Sequence, residues 1–304
     1  MNITFGTDPE FMLMQKGKHH SAIGIVQGSI ENRISIKGHE FYYDNVLAEC
    51  AVKPGKNKKQ TLKNIKECLG IYSDMVSPFE LVAQASQEYP ASQLKHPDAK
   101  IAGCEPDMCV YEMEMQDPPR SEMKNGRLRT CGGHIHLGSK MLQDDGPAPI
   151  RVIQMADLFL GIPSLWIDND ETSPVRRNLY GQAGRYRVKP YGIEYRSLGN
   201  FWFKSPKIAE WVYDTCMFIH EFVESGEADK LWDFDIEVLF DGGEQSDAWD
   251  CTAYDPNQLK HAIDSSDQSL AEEYYSLARS LMPAPLVEKL NTIIGSKVAS
   301  LDWQ

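Results

Sequence analysis

The chain has 304 residues, 42% hydrophobic and 25% charged, with a formal net charge of −13. This length suits one large domain or two smaller ones, and the composition is that of a globular protein. The acid excess disfavours a polynucleotide as main ligand. No run of about 18 apolar residues predicts a membrane span, and "MNITFGTDPEF" has neither the basic start nor the apolar core of an export signal, so a cytoplasmic location is expected.

The first fifty residues read as β-rich. "ITFGTDPEFMLM" predicts a strand, a turn over Gly6–Pro9 and more strand, and "SAIGIV", "NRISIKG" and "EFYYDNVLAECAV" continue the pattern. "KKQTLKNIKECLGIYSDMV" places Leu62, Ile65, Leu69 and Tyr72 at helical spacing. "FELVAQAS" predicts a strand, and residues 86–126 predict loop with short strands. "LRTCGGHIHLGS" reads as one strand, "PIRVIQMADLFLGIPSLWI" as a helix with Pro149 near its start, and "YGIEYRSLGNF" as a strand. "SPKIAEWVYDTCMFIHEFVESG" opens with a Ser-Pro helix start and carries Trp211, Phe218 and Phe222 on one stripe.

From residue 227 the pattern changes to short helices and acidic loops. "FDGGEQSDAWD" predicts a loop, and "SLAEEYYSLARSLM" with "PLVEKLNTIIGSKV" predicts a closing helical pair. The expected division is 1–226 as the catalytic domain and 227–304 as a helical extension packed on it. No internal repeat, β-α-β rhythm or glycine-rich phosphate fingerprint is present. The seven cysteines lack zinc-ribbon spacing; Cys104 and Cys109 bracket "EPDM" and read as reduced thiols.

Four strand-like stretches carry polar residues in alternation. They are "GTDPEF" with Asp8 and Glu10, "YYDNVLAEC" with Asp44 and Glu49, "GGHIHLG" with His134 and His136, and "GIEYRSL" with Glu194 and Arg196. Residues i and i+2 of a strand point to one side. Laid side by side, these strands would gather acids, imidazoles and a guanidinium on one face. Packed carboxylates take up protons unless a cation separates them, and oxygen-rich sites with imidazole suit Mg²⁺ or Mn²⁺.

Each motif alone has a bland reading. D-x-E is usually a solvated face, H-x-H a polar strand face, and E-x-R a surface ion pair worth little. Their joint occurrence in apolar strands favours a site. The segment "RRNLYGQAGRYRVKPYG" adds Arg176, Arg177, Arg185, Arg187 and Lys189, either a solvated loop or a phosphate clamp. Its Gly181, Gly184 and Gly192 would let it approach a ligand, and Gly132, Gly133 and Gly138 would make room for a nucleotide. Arg129 is a weaker phosphate candidate, and His19, His20, His220 and His261 look structural.

In this order the motifs resemble the phage-type carboxylate–amine ligases (amidoligase type 2), a branch of the glutamine synthetase and glutamate–cysteine ligase superfamily. The resemblance rests on "FGTDPEFML", "DNVLAEC", "HPDAKIAGCEPD", "LRTCGGHIHLGS", "DLFLGIPSLWID" and "RRNLYGQAGRYRVKPYGIEYRSLGNFW", covering roughly residues 3–205. It implies an α+β fold, a glutamine synthetase-like antiparallel sheet curved into a half-barrel with packed helices and a helical C-terminal region.

The resemblance further implies two Mg²⁺ (or Mn²⁺) ions held by Asp8, Glu10, Asp44, Glu49, His134 and Glu194. His136, Arg129, Arg176, Arg177, Arg185, Arg187 and Lys189 would face ATP; Arg196, Glu49 and Arg187 would be the catalytic set. The expected reaction phosphorylates a carboxylate with ATP and condenses the acyl phosphate with an amine. The expected partners are small-molecule or peptide acids and amines, with the chain a monomer or small homo-oligomer, in host cytoplasm if phage-encoded. A guanidino or carboxyl phosphotransferase, an H-x-H metal hydrolase and a non-catalytic nucleotide-binding relative are the alternatives.

Overall fold

A computed structural model describes residues 3–100, 106–116, 126–143, 146–231, 255–294, 296, 298 and 300–303. Its strands are β1 (Thr4–Gln15), β2 (Lys18–His20), β3 (Ile34–Ile36), β4 (His39–Asp44), β5 (Leu47–Gly55), β6 (Glu80–Val82), β7 (Ser86–Glu88), β8 (Asp107–Cys109), β9 (Glu114–Gln116), β10 (Leu128–Thr130), β11 (Gly133–Gly138), β12 (Arg185–Lys189) and β13 (Gly192–Tyr195). Its α-helices are α1 (Lys58–Val76), α2 (Ala148–Ala156), α3 (Ile162–Ile167), α4 (Ser173–Leu179), α5 (Pro206–Glu224), α6 (Pro256–Asp264), α7 (Gln268–Leu281) and α8 (Ala284–Ile294).

Eleven strands form one sheet in the order β3-β4-β5-β1-β11-β13-β12-β8-β9, while β2 and β6 pair with the far half of β1. β7 and β10 form a separate two-stranded sheet. The strands pair antiparallel, so the fold is α+β around a large antiparallel sheet.

The two sheet faces follow from residue alternation. Phe5, Phe11 and Leu13 of β1, Ile135 and Leu137 of β11, and Ile193 and Tyr195 of β13 enter the apolar core. There they join Ile65 and Tyr72 of α1, Ile153 of α2 and Trp211 of α5. Asp8, Glu10, His134, His136 and Glu194 fall on the other face, where they line a cavity.

α5 begins where expected: Ser205 accepts from the Ile208 N–H, with Pro206 in the first turn. Lys58 of α1 and Lys289 of α8 both reach Glu210 and Asp214 of α5, at 2.6–3.3 Å. Leu259, Ala271 and Leu290 of the last three helices belong to the same core.

Several local expectations are corrected. The turn over Gly6–Pro9 does not form; β1 continues through it as strand, with a register shift against β5 between Phe5 and Thr7, and Glu10 donates its N–H to Gly132 O (3.1 Å) just after the proline. "SAIGIV" is a tight loop with an isolated Ile23–Val26 bridge instead of a strand. "LRTCGGHIHLGS" is two strands in two sheets: β10 pairs with β7, and the chain crosses at Cys131–Gly132 to join β1 as β11. "FDGGEQSDAWD" and Cys104 lie outside the described residues; Cys109 is a buried free thiol.

The stretch from Ala148 to Ile167 is the one helical segment among the described residues long and apolar enough to cross a membrane; 94% of it is buried inside the protein, as a core helix is. It widens to a π-turn at Asp157–Gly161, just before Pro163, whose missing N–H breaks the ordinary ladder. This turn presents the buried Asp157 carboxylate to Tyr111 Oη (2.8 Å), Tyr195 Oη (2.7 Å) and the Gly184 N–H (2.6 Å), tying the helix to β13 and to the start of β12.

Burial pushes Asp157 up to about 7, although all three donors favour its charged form. A folded value above the unfolded 3.8 means that stability from this group falls as pH rises through that interval. Asp157→Ala strands three buried donors and should cost about 3 kcal/mol or more. In urea unfolding, the wild type's advantage should be larger at pH 5 than at pH 8; an equal difference at both would refute the assignment.

Candidate active site

A cavity of about 680 Å³ opens on the polar face of the sheet. β1 lies at its centre and contributes Asp8 and Glu10. β5 adds Glu49 and β4 adds Tyr42 and Asp44, while β11 adds His134 and His136. β12 adds Arg187 and Lys189, and β13 with its continuation adds Glu194 and Arg196. Register brings them together: Asp8 pairs with His134, Glu10 with Glu49, and Glu194 with both His136 and Arg187.

Asp8 stands between the imidazoles. Its Oδ1 is 3.2 Å from His134 Nδ1 and 3.1 Å from His136 Nε2. Burial opposes its charge, but His136 and then His134 outweigh it and hold the carboxyl well below its usual range. Burial, with Arg196 adding to it, lowers His134 to about 4, so its ring is neutral at neutral pH. His136 is instead raised, because Asp8 and Glu194 outweigh burial. Tyr191 Oη meets His136 Nδ1 at 2.6 Å and turns its other nitrogen toward Asp8.

On the β4–β5 side the acids crowd one another. Glu49 is pushed well above its range by burial and then by Glu10, Asp44 and Asp8. Asp44 is raised to about 7 by burial and Glu10, and Glu10 is raised by burial although Gly132 N–H donates to it at 2.5 Å. Tyr42 Oη donates to Glu49 Oε1 at 2.7 Å. On the other side Glu194 meets Lys189 Nζ at 2.7 Å, Arg187 at 3.5 Å and Arg196 directly.

These donors fit a divalent cation. One ligand atom each from Asp8, His136 and Glu194 lies within 4.8 Å of the others. His134 is almost fully buried, and among the described residues its Nε2 makes no hydrogen bond, while Nδ1 faces Asp8 at 3.2 Å and Glu194 at 3.8 Å. A neutral imidazole among carboxylates is the form that ligates.

The structure brings Asp8, Glu10, Asp44, Glu49, His134, His136, Arg187, Lys189, Glu194 and Arg196 to this one cavity. It does not bring Arg129, Arg176, Arg177 or Arg185 to its lining. Arg129 binds Asn45 Oδ1 and the carbonyls of Ala99, Gly126 and Leu128. Arg176 donates to the carbonyls of Ser197 (2.8 Å) and Arg196 (3.2 Å), and Arg177 to Ser164 and Ser266. Arg185 pairs with Asp107 at 3.0 Å.

The glycines also serve the protein itself: a Cβ at Gly132 would stand 2.5 Å from His134 Nε2, and one at Gly133 2.6 Å from Gly199 O. Gly181, in the left-handed region at φ +123°, makes room for the Arg176 guanidinium.

Among the contributors with no role in the sequence reading are Tyr42, Asp107, Tyr180, Tyr191 and Arg33, whose guanidinium lies 4.1 Å from the Tyr42 ring centroid. Tyr42 shares the i, i+2 face of Asp44, a signal that was available. Tyr180 lies under the Arg196 guanidinium at 5.0 Å and edge-on to His134 at 6.2 Å, contacts that only the fold creates.

Residues 126–275, just under half of the chain, match the family described as phage phiEco32-like COOH·NH2 ligase-type 2. Over that span the resemblance read from the motifs is borne out, and the match supports an ATP-dependent carbon–nitrogen ligase as the enzyme class. No curated protein sequence matches the chain. Among solved structures, a bifunctional glutathione synthetase from Pasteurella multocida aligns with 98% of this chain at 10% identity and a TM-score of 0.40. The chain spans about half (51%) of that protein's length.

If the grouped donors hold an ion, Mg²⁺ or Mn²⁺ should stabilise the protein. At a hundredfold excess over Kd the gain is about 2.7 kcal/mol, several degrees in melting temperature. Asp8→Asn with Glu194→Gln should abolish the rise; an equal rise in that double variant would show that the ion binds elsewhere.

Proposed function

We propose that the chain is an ATP- and Mg²⁺-dependent ligase that joins a carboxylate to an amine through an acyl phosphate, on a glutamine synthetase-like half-barrel. The observation that supports it best is the single sheet face on which acids, imidazoles and cations converge over a cavity large enough for a nucleotide and a small acceptor. The division into a catalytic domain, 1–226, and a helical extension, 227–304, belongs to the same proposal.

A free carboxylate is charged and has no leaving group, so it does not condense with an amine in water. In the proposed sequence its oxygen attacks the γ-phosphorus of ATP and ADP departs. The amine nitrogen then attacks the acyl carbon and phosphate departs. Arg196, Arg187 and Lys189 stabilise the transferring phosphoryl oxygens. Asp8, Glu10, Asp44, Glu49, His134 and Glu194 would hold two ions, with His136 added by its place beside Asp8 and Glu194. Bound there, Mg²⁺ would neutralise charge on the phosphate oxygens. With cations offsetting the neighbouring carboxylates, Glu49 would be ionised and would take the proton that the attacking amine releases.

Incubation with ATP, Mg²⁺ and pools of acids and amines should release ADP and phosphate together with an amide, and chelation should stop it. Glu194→Gln and Arg196→Gln should each lower turnover about 100-fold or more. Full activity in Glu194→Gln would overturn the assignment, and a stable phosphorylated product without an amide would favour a phosphotransferase instead.

A further inference from the structure

Arg196 is held from several directions. Its Nη1 meets Glu194 inside the cavity, and its guanidinium lies over the Tyr180 ring at 5.0 Å. Its backbone N–H donates to Arg185 O at 3.0 Å, and its own carbonyl accepts from Arg176. The remaining tether comes from outside the cavity lining. Asp107 on β8, buried, accepts from Arg196 Nε at 3.1 Å through Oδ2 while its Oδ1 pairs with Arg185 Nη1 at 3.0 Å.

A bond at Nε fixes the plane of a guanidinium, which a contact at one terminal nitrogen does not. An arginine otherwise keeps much rotamer freedom, and its forked donors serve phosphate only when that plane is set. Glu194 and the Tyr180 ring confine the guanidinium, and Asp107 adds the bond at Nε that sets its plane. Among the described residues β8 pairs with β12 at Arg185 and Tyr186, with one further bond from the Val110 N–H to Gly184 O, so its backbone ladder to the site is short. The paired guanidinium of Arg185 supplies the second positive neighbour that a buried carboxylate needs.

We propose that Asp107 is a positioning residue: it orients the Arg196 guanidinium toward the phosphoryl group, with Arg185 as its counter-ion and not a phosphate ligand. This deepens the ligase reading and rests on it for the identity of the group that Arg196 meets. Asp107 does not line the cavity, so it acts only through Arg196.

The test is a double-mutant cycle on the full chain, with nucleotide turnover and ¹⁵N NMR of arginine Nε–H groups as readouts. Asp107→Asn should lower kcat about 10-fold or more while nucleotide affinity changes less than about threefold. In an Arg196→Gln background it should have no further effect. The slowly exchanging Arg196 Nε–H signal should be present in the wild type and lost in Asp107→Asn. An equal loss of activity in both backgrounds, or an unchanged signal, would overturn the proposal. Should Asp107→Asn fail to fold, Asp107→Glu carries the test: its longer reach should depress kcat with little change in melting temperature, and unaltered kcat would count against positioning. If the wild type turns over no nucleotide, the ligase reading fails, and the Nε–H signal still decides whether Asp107 orients Arg196.

Discussion

The pairing of β1 with β11, Asp8 opposite His134, is the constraint on which the rest of this molecule depends. Side chains alternate across a strand, so a slip of one residue would send Asp8 and Glu10 into the apolar core and Phe5 and Phe11 into the cavity. The apolar half of β1 locks the register by packing on α5 and its neighbours: Phe5 lies against Trp202 and Tyr213, and Phe11 against Phe203. The acids are therefore held together by the hydrophobic residues between them.

What is gathered in this way is electrostatically unequal. Near β12 and β13, Glu194 is surrounded by Lys189, Arg187 and Arg196, and Asp107 by Arg185 and Arg196. Near β4 and β5, burial and mutual repulsion raise Glu10, Asp44 and Glu49, and Tyr42, the Gly132 N–H and the charges of Arg33, Arg176 and Arg196 offset this only in part. Asp8 and the two imidazoles stand at the junction. One half of the cavity suits anionic oxygens and the other half suits cations, a polarity set by which strands neighbour β1.

Much of this face was legible because strand alternation is a local signal: "GTDPEF", "GGHIHLG" and "GIEYR" each declare which residues share a side. The α+β class and the long helices were legible for the same reason, from apolar periodicity and from caps such as Ser205. The basic segment was legible only in part: Arg187 and Lys189 reach the cavity, whereas Arg176, Arg177 and Arg185 do not line it. The acceptors that hold the others, the Ser197 carbonyl, Ser164, Ser266 and Asp107, are distant in the chain or in its fold, and residue type cannot reveal which cations are already engaged. The break between β10 and β11 was hidden likewise, because a continuous strand and two strands joined by Cys131–Gly132 have the same composition.

The central position of β1 governs when the site can exist. Thr7 bonds to His134 O across a sequence separation of 127 residues, and Asn200 to Glu10 O across 190. Such contacts require large loops to close before they return any energy. During synthesis the acids of the first fifty residues leave the ribosome long before the imidazoles and arginines that face them. Until then they are free to spread apart in water. A truncated product ending before Arg185 would carry the acids of the first fifty residues and lack Arg187, Lys189, Glu194 and Arg196 that face them, so an arrested or clipped chain has no complete version of this site.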